Sequence, residues 1–281
     1  MRIVVFTFIV FLGTATQADA RRVALVIGNS AYQQVPQLSN PRKDARAVAD
    51  SLKKIGFEAI RYAEDLDQAN LLRTLKEFQI SSSGAEVALI YFAGHGVEVN
   101  GRNYLVPIDA SLSEAAVVDY EGITLDQVRA ATTRATKLRL VILDACRNNP
   151  FKLASSNSMR AVNRGLAIID EPAGNEMIAY AARAGTVASD GTGEPNSPYA
   201  TALVKYLNEP GLDVRQLFGK VRDDVHTVTR GVQEPFTYGS LGGQPIVINP
   251  SKAALPQAEA KSPSPMALLE AIASICIHQS R

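Results

Sequence analysis

The sequence predicts an α/β protein, built on a mainly parallel sheet of about six strands with helices on both faces. Short runs rich in β-branched residues alternate along the chain with segments in which apolar residues recur at helical spacing. The strand-like runs, such as residues 22–27, carry no polar interruption, which is typical of strands covered on both faces. Two of these runs also end next to a chemically reactive residue, His95 in one case and Cys146 in the other.

The first half of the chain has the pattern strand, helix, strand, helix, strand. Asn40 and Pro41 supply an N-cap and a first-turn proline for a helix that continues to Gly56, and Asp67 can cap the second helix. The inner face of that second helix is predicted to consist of Leu71, Leu72, Leu75 and Phe78. The three predicted strands are residues 22–27, 57–62 and 86–93.

The second half continues the alternation around a hairpin and a long loop. The Asn100-Gly101 pair lies between short extended runs and predicts a tight hairpin. Thr124 and Gln127 have capping-box spacing and open a predicted helix that reaches about Thr136. The remaining predicted elements are a strand leading to Cys146, a loop at 151–174, a strand at 176–182, a helix at 198–207, a helix lined by Val214, Leu217, Phe218, Val221 and Val225, and a closing strand at 244–249.

Both ends of the chain are expected to lie outside this domain. Residues 1–20 have a basic start, a short apolar stretch and a small-residue end, which indicates a cleaved signal peptide and an exported, periplasmic or secreted protein. The apolar stretch is shorter than the roughly 20 residues of a membrane span, so no stable span is expected, and a short uncleaved anchor is the alternative interpretation. Residues 21–249 form the predicted α/β domain, and residues 250–281 form a linker with a weakly amphipathic tail at 266–277.

Composition argues against several other classes of protein. A net charge of +1 is not the strongly basic charge typical of proteins that bind nucleic acid, and two cysteines do not make a disulfide scaffold. No His, Cys and carboxylate cluster has zinc-ligand spacing, and Gly28-Asn29-Ser30 lacks the lysine of a phosphate-binding loop, so no metal or cofactor is expected. Activation by calcium stays open. So does the oligomeric state, for which a monomer is favoured.

His95 and Cys146 are a candidate catalytic pair. Each follows a predicted buried strand, and the carboxyl ends of parallel strands share the edge of the sheet at which ligands bind. A thiol acts as a nucleophile in its thiolate form, and an adjacent imidazole can take its proton and later protonate a leaving amine. The backbone N–H groups of Gly96 and Cys146 could stabilise the oxyanion of such an acyl transfer.

Several stretches of the chain match motifs of a known family. Tyr91-Phe92-Ala93-Gly94-His95-Gly96 and Asp144-Ala145-Cys146-Arg147 lie about 50 residues apart and are similar to the two catalytic motifs of caspase-like cysteine peptidases. Residues 24–32, 43–45, 179–182 and 233–236 extend the likeness over roughly 22–249, nearest the bacterial metacaspase and orthocaspase branch of peptidase C14 type. The resemblance implies a three-layer caspase-hemoglobinase fold and an endopeptidase that acts on protein or peptide substrates.

The resemblance also implies a preference for basic residues before the cut. Asp144 stands where caspases carry glutamine, and metacaspase-like enzymes use an acid there to bind Arg or Lys. Asp44 resembles a second acidic position of the same pocket. If the pocket selects basic residues, Lys152, Arg160 and Arg164 become candidate sites of self-cleavage in the loop after Cys146.

Other interpretations of these residues remain open at this point. A cysteine at a strand end is often a small core residue, and a Gly-His-Gly segment can be ordinary turn chemistry. Asp144 could cap a turn, and Asp44 could stabilise the dipole of its helix. The chain could therefore be a catalytically silent caspase-like binding or regulatory module, or an unrelated α/β hydrolase or ligand-binding domain.

Overall fold

The computed structural model describes residues 21–113, 115–146, 174–183 and 195–250, with the backbone alone of Ala115 and Cys146. Within these residues the chain forms eight strands and six helices. The strands are β1 (Arg22–Gly28), β2 (Ala59–Glu64), β3 (Val87–Val99), β4 (Arg102–Leu105), β5 (Ile123–Thr124), β6 (Leu138–Cys146), β7 (Glu176–Tyr180) and β8 (Phe236–Ser240). The helices are α1 (Pro41–Lys54), α2 (Gln68–Ser81), α3 (Ala115–Glu121), α4 (Leu125–Ala130), α5 (Pro198–Leu207) and α6 (Val214–Val228).

One sheet organises these elements, with the strand order β2-β1-β3-β6-β7-β8. The first five strands of that order are parallel neighbours, and β8 joins β7 antiparallel at the edge. The short strands β4 and β5 add an antiparallel extension to the distal part of β3. The mainly parallel sheet that the sequence predicts is confirmed.

Helices cover both faces of the sheet. On one face, α1, α5 and α6 pack on sheet residues that include Ala24 and Val26. On the other face, α2 and α4 pack on a second set that includes Val23 and Leu25. Successive strand residues point to opposite faces, so residues 23–28 of β1 are buried on both sides of the sheet. This explains why none of them has a polar side chain.

The predicted hairpin is confirmed between β3 and β4. Val99 and Arg102 are register partners, so the turn contains only Asn100 and Gly101. These two residues have φ angles of 52° and 79°, the left-handed pair of a type I′ turn. Asparagine and glycine are the residues that adopt this conformation at least cost, so the turn sequence sets the register of the hairpin.

Several helix predictions are also confirmed. Asp67 caps α2 by accepting a hydrogen bond from the N–H of Asn70, and Thr124 and Gln127 form a complete capping box on α4. Helix α5 has the predicted bounds. The five apolar residues predicted to line α6 are all buried.

Two helix details differ from the prediction. Leu72 is 38% exposed, and Thr74 joins Leu71, Leu75 and Phe78 on the buried face of α2. Helix α4 ends at Ala130 and not near Thr136. Thr132 and Thr133 donate their hydroxyls to the carbonyls of the last turn, a local bond that competes with continuation of a helix.

Two strand predictions need larger corrections. Strand β3 does not stop at Ala93 but continues through the glycine-flanked histidine to Val99, because β4 pairs with its distal half. Residues 244–249 do not form a closing strand; a single bridge links Val247 to Asp213. Ile246 and Ile248 are buried with the spacing of a strand, but the N–H of Ile246 donates to the carboxylate of Asp213 at the start of α6. The strand that pairs with β7 at this edge of the described sheet is β8 instead.

A buried ion pair joins α4 to the start of β7. Arg129 donates to both carboxylate oxygens of Glu176, from Nε at 3.0 Å and from Nη2 at 2.8 Å, and the Glu176 side chain is 3% exposed. This hydrogen bond raises the pKa of Arg129 above its ordinary value. The pair therefore fixes a helix of one layer to the central sheet.

Replacing Glu176 with glutamine is expected to lower the free energy of unfolding by about 3 kcal/mol, because the largely buried guanidinium loses its buried counter-charge. Urea denaturation followed by circular dichroism measures this change. Asp126→Asn is the control, since Asp126 contacts the same guanidinium but is 80% exposed and should contribute little. Equal losses in the two variants would contradict the role assigned to the buried pair.

Several predicted segments lie outside the described residues: the signal peptide at 1–20, the loop at 151–174 apart from Gly174, and the linker and tail beyond Pro250. Among the helices that the structure describes, none combines the length and the apolar character needed to cross a membrane.

Candidate active site

The backbone brings His95 and Cys146 side by side. Strands β3 and β6 are parallel neighbours, and His95 and Cys146 are register partners in the last pair of their ladder. Neighbouring strands lie about 4.8 Å apart, so a side chain on one can reach the other. Strand β6 is described as far as Cys146, whereas β3 continues to Val99.

The imidazole of His95 is oriented by a backbone carbonyl. His95 is 3% exposed, and its Nε2 lies 2.8 Å from the carbonyl oxygen of Pro36. Because a carbonyl can only accept, Nε2 carries the proton in this contact, and Nδ1 is the nitrogen that holds the lone pair in the neutral ring. Nδ1 is therefore the atom that can act as a base.

Tyr32 holds the backbone of His95. The N–H of His95 donates to Tyr32 Oη at 2.7 Å, and Oη lies 3.3 Å from the carbonyl oxygen of Val106, to which it donates. The two rings are also in contact, with centroids 4.5 Å apart. Gly94 permits this approach, since a Cβ there would come within 2.5 Å of Tyr32 Oη.

The N–H of Gly96 points toward the end of β6. The N–H of Val106 donates to the carbonyl of His95 at 3.0 Å, so the next opposite pair along this antiparallel ladder, Gly96 and Leu105, is a non-hydrogen-bonded pair. The N–H of Gly96 is thus directed away from β4 and toward the other edge of β3, where Cys146 ends its strand. This is the orientation that an oxyanion donor near Cys146 needs.

Asp144 lies on β6, next to the same edge, and is buried. It is 7% exposed, and its Oδ2 accepts hydrogen bonds from Tyr91 Oη at 2.8 Å and Ser197 Oγ at 3.0 Å. Burial and the nearby carboxylates of Asp144 and Asp44 raise the pKa of Tyr91 well above its ordinary value, so the phenol remains a donor.

Asp44 belongs to the same cluster. It lies on α1, is 2% exposed, and its Oδ1 accepts from Asn196 Nδ2 at 2.8 Å and from the N–H of Ser197 at 3.0 Å. Ser197 therefore contacts both carboxylates, one through its backbone and one through its hydroxyl. The two acids that the sequence singles out are brought together, although about 100 residues separate them along the chain.

Sequence reasoning did not assign roles to several residues of this site. Tyr32 lies in a stretch that resembles the family, but nothing in the local sequence shows that its hydroxyl meets the backbone of His95. Ser197 carries a recognisable signal only as the N-cap before Pro198, and it does cap α5 by accepting from the N–H of Ala200. Pro36 contributes a backbone carbonyl, which no residue type encodes.

In the part of the chain that the structure describes, no group of three or more His, Cys, Asp or Glu side chains could hold a metal ion. The groups described on this edge are the His95 imidazole, the backbone of Cys146, the N–H of Gly96 and the buried carboxylates of Asp144 and Asp44. That set fits acyl transfer through a thiol.

Comparison with known proteins agrees with this chemistry. The chain is 30% identical over 129 residues to the mucosa-associated lymphoid tissue lymphoma translocation protein 1 of Homo sapiens and to its homolog in Mus musculus. Each match covers 45% of this chain and only 15% of the relative. The family model of the caspase domain, peptidase C14, matches residues 21–244, which is most of the chain. The chain therefore belongs to the caspase-domain family of peptidases, and its sheet and flanking helices are those of the caspase-hemoglobinase fold.

Proposed function

We propose that the protein is a cysteine endopeptidase that hydrolyses peptide bonds after Arg or Lys. The observation that carries the proposal is the register of β3 and β6, which sets His95 beside Cys146 at the end of a strand in a caspase-domain sheet. Cys146 is the nucleophile and His95 its acid-base partner.

The chemistry follows from the orientation of the histidine. With Nε2–H donating to Pro36, Nδ1 accepts the proton of the Cys146 thiol as the sulfur attacks the carbonyl carbon of the substrate. The same proton is delivered to the leaving amine when the C–N bond breaks, which leaves an acyl-enzyme. Water then attacks the thioester, gives its proton to Nδ1 and releases the carboxylic acid, and the sulfur regains the proton.

Two backbone N–H groups would stabilise the tetrahedral intermediates. The N–H of Gly96 is directed toward the end of β6, and the N–H of Cys146 lies in the partner strand at that point. Two such donors stabilise the charge that develops on the carbonyl oxygen.

The buried acids support the preference for basic residues. Asp144 and Asp44 share Ser197 as a partner, so a side chain that reaches this cluster meets two carboxylates. A guanidinium or ammonium group would be stabilised there, and an acidic side chain would be repelled.

The direct test uses purified protein and paired fluorogenic peptides that end in Arg and in Asp, with Cys146→Ala as the control. The proposal requires hydrolysis of the Arg peptide that is lost in the variant. Cleavage of the Asp peptide alone would refute the pocket assignment. Failure of a vinyl sulfone with a basic end residue to label Cys146 would instead favour the catalytically silent module.

Self-cleavage after Lys152, Arg160 or Arg164 is a further expectation from the same specificity. Incubation of the active protein should produce two fragments, and mass spectrometry should locate the new ends after one of these three residues. The Cys146→Ala variant should stay intact. An active preparation that remains one intact band, or that is cut only elsewhere, would contradict the expectation.

A further inference from the structure

The segment between β1 and α1, residues 29–40, is held beside the candidate site by several hydrogen bonds. It closes on itself, since the N–H of Leu38 donates to the carbonyl of Ser30 at 3.1 Å. The N–H groups of Ser30 and Ala31 both donate to Asp65 Oδ1, at 2.7 Å and 2.9 Å. Asp65 thus fixes the start of a segment that also contains Tyr32 and Pro36.

This segment fixes His95 from two directions. Tyr32 accepts from the backbone N–H of His95, and Pro36 accepts from Nε2 of its ring. Val106 completes the arrangement, because its N–H donates to the carbonyl of His95 while its own carbonyl accepts from Tyr32 Oη. His95, Tyr32 and Val106 therefore form a closed ring of hydrogen bonds in which the tyrosine hydroxyl is both acceptor and donor.

We propose that Tyr32 is a positioning residue for His95, acting through its hydroxyl, and this inference rests on the proposed role of His95 as the base. By accepting the backbone N–H of His95, the hydroxyl fixes the position of this residue in β3, and hence the position of Nδ1 relative to the end of β6. A displacement of about 1 Å between reacting groups can lower the rate a hundredfold, so loss of this contact should slow the reaction.

The ring of Tyr32 has a separate, structural role. It belongs to a small core cluster with Val97, Val99 and Tyr104, and it is 2% exposed. Tyr104 provides a matched comparison, since it is buried in the same cluster but its hydroxyl donates to Asp119. Removing either hydroxyl keeps both rings in place. A comparison of the two variants therefore distinguishes an effect on the position of His95 from a general loss of packing.

The kinetic experiment compares Tyr32→Phe with Tyr104→Phe on the Arg peptide. Tyr32→Phe should lower kcat about tenfold or more and change KM by less than about twofold, because the lost contact acts on the reacting geometry and not on binding. Tyr104→Phe should leave kcat within about twofold. Equal values of kcat for Tyr32→Phe and the unmodified protein, or equal losses in the two variants, would overturn the proposal.

A second measurement does not need turnover. In the Cys146→Ala background, nitrogen-15 histidine NMR should show the Nε2–H tautomer of His95, and Tyr32→Phe should shift that ring toward a mixture of tautomers. His95→Gln assigns the signal among the three histidines of the chain. An unchanged His95 signal in Tyr32→Phe would overturn the proposed positioning.

Hydrogen exchange covers the case in which Tyr32→Phe does not fold. In the unmodified protein, the amide hydrogen of His95 should exchange as slowly as those of the β3–β6 ladder, because Tyr32 Oη accepts it in a buried position. Rapid exchange would overturn the contact. An unmodified protein without Cys146-dependent cleavage would refute the proposed function and the positioning role of Tyr32 together, whereas an active protein with an unaffected Tyr32→Phe variant refutes the positioning alone.

Discussion

Replacing His95 with glutamine is expected to lower kcat on the Arg peptide by a factor of about 10² to 10⁴, the range that general acid-base catalysis contributes. The variant keeps a side chain that can donate to Pro36, but it has no group that can take the thiol proton. KM should change little, because the imidazole acts on the reaction and not on the binding of the basic side chain. Initial rates over a range of peptide concentrations measure both constants.

Two comparisons make this result specific. His226→Gln alters a histidine on the exposed face of α6 and should retain the activity of the unmodified protein. The double variant His95→Gln, Cys146→Ala should be no slower than Cys146→Ala alone, because residues that act as one catalytic unit are not additive. Full activity in His95→Gln would exclude His95 as the base and favour an unrelated mechanism.

Replacing Asp144 with asparagine is expected to lower kcat/KM for the Arg peptide by a factor between about 30 and several thousand, which corresponds to the roughly 2–5 kcal/mol lost when a buried charge pair loses one partner. Asparagine has nearly the same shape and still offers an oxygen to Tyr91 and Ser197, so the change removes charge and keeps the packing. A matched peptide that ends in citrulline, which is uncharged, should be far less affected. The ratio of the two kcat/KM values is therefore the quantity to measure.

Asp50→Asn is the control for this experiment. Asp50 lies on the same helix as Asp44 but is exposed, so its charge should not influence the pocket. Asp44→Asn should reduce the preference for the Arg peptide in the same direction as Asp144→Asn, because both acids contact Ser197. An unchanged ratio of Arg to citrulline cleavage in Asp144→Asn would show that the basic side chain binds elsewhere.

Elements with strong local signals were predictable from the sequence. Ser197 and Pro198 mark the start of α5, and the apolar period from Val214 to Val225 defines the buried side of α6. The Asn100-Gly101 turn follows from backbone sterics alone. In each case, the whole signal is carried by residues that are close together along the chain, at most one short helix apart.

Elements that depend on distant partners were not predictable in the same way. Strand β3 continues through Gly94 and Gly96 because β4 pairs with its distal part. The sequence alone does not reveal this partner, and without it the two glycines indicate a loop. Strand β8 contains Gly239, where a Cβ would lie 2.3 Å from the carbonyl oxygen of Glu176. That glycine indicates a turn in the sequence, but in the folded chain it allows a close approach between strands.

The same division holds for the site. His95 and Cys146 each follow an apolar run, so their shared position could be inferred from the rules of parallel sheets. Tyr32 and Ser197 act through a hydroxyl that meets a residue more than about 50 positions away, and no local pattern encodes such a contact. Sequence reasoning therefore finds the candidate reacting groups more readily than the residues that hold them.

The cluster of Asp144, Tyr91 and Ser197 restricts how the proposed preference for basic substrates could change in evolution. The hydroxyl of Ser197 donates to Asp144 while it caps α5, and the phenol of Tyr91 is buried against the same carboxylate. An exchange of Asp144 for a basic residue would place a positive charge against two donors and leave both without an acceptor, at a cost of about 1–3 kcal/mol for each buried group. A change from basic to acidic substrates would thus require several substitutions together, so intermediate sequences along that path should fold poorly and bind neither class well.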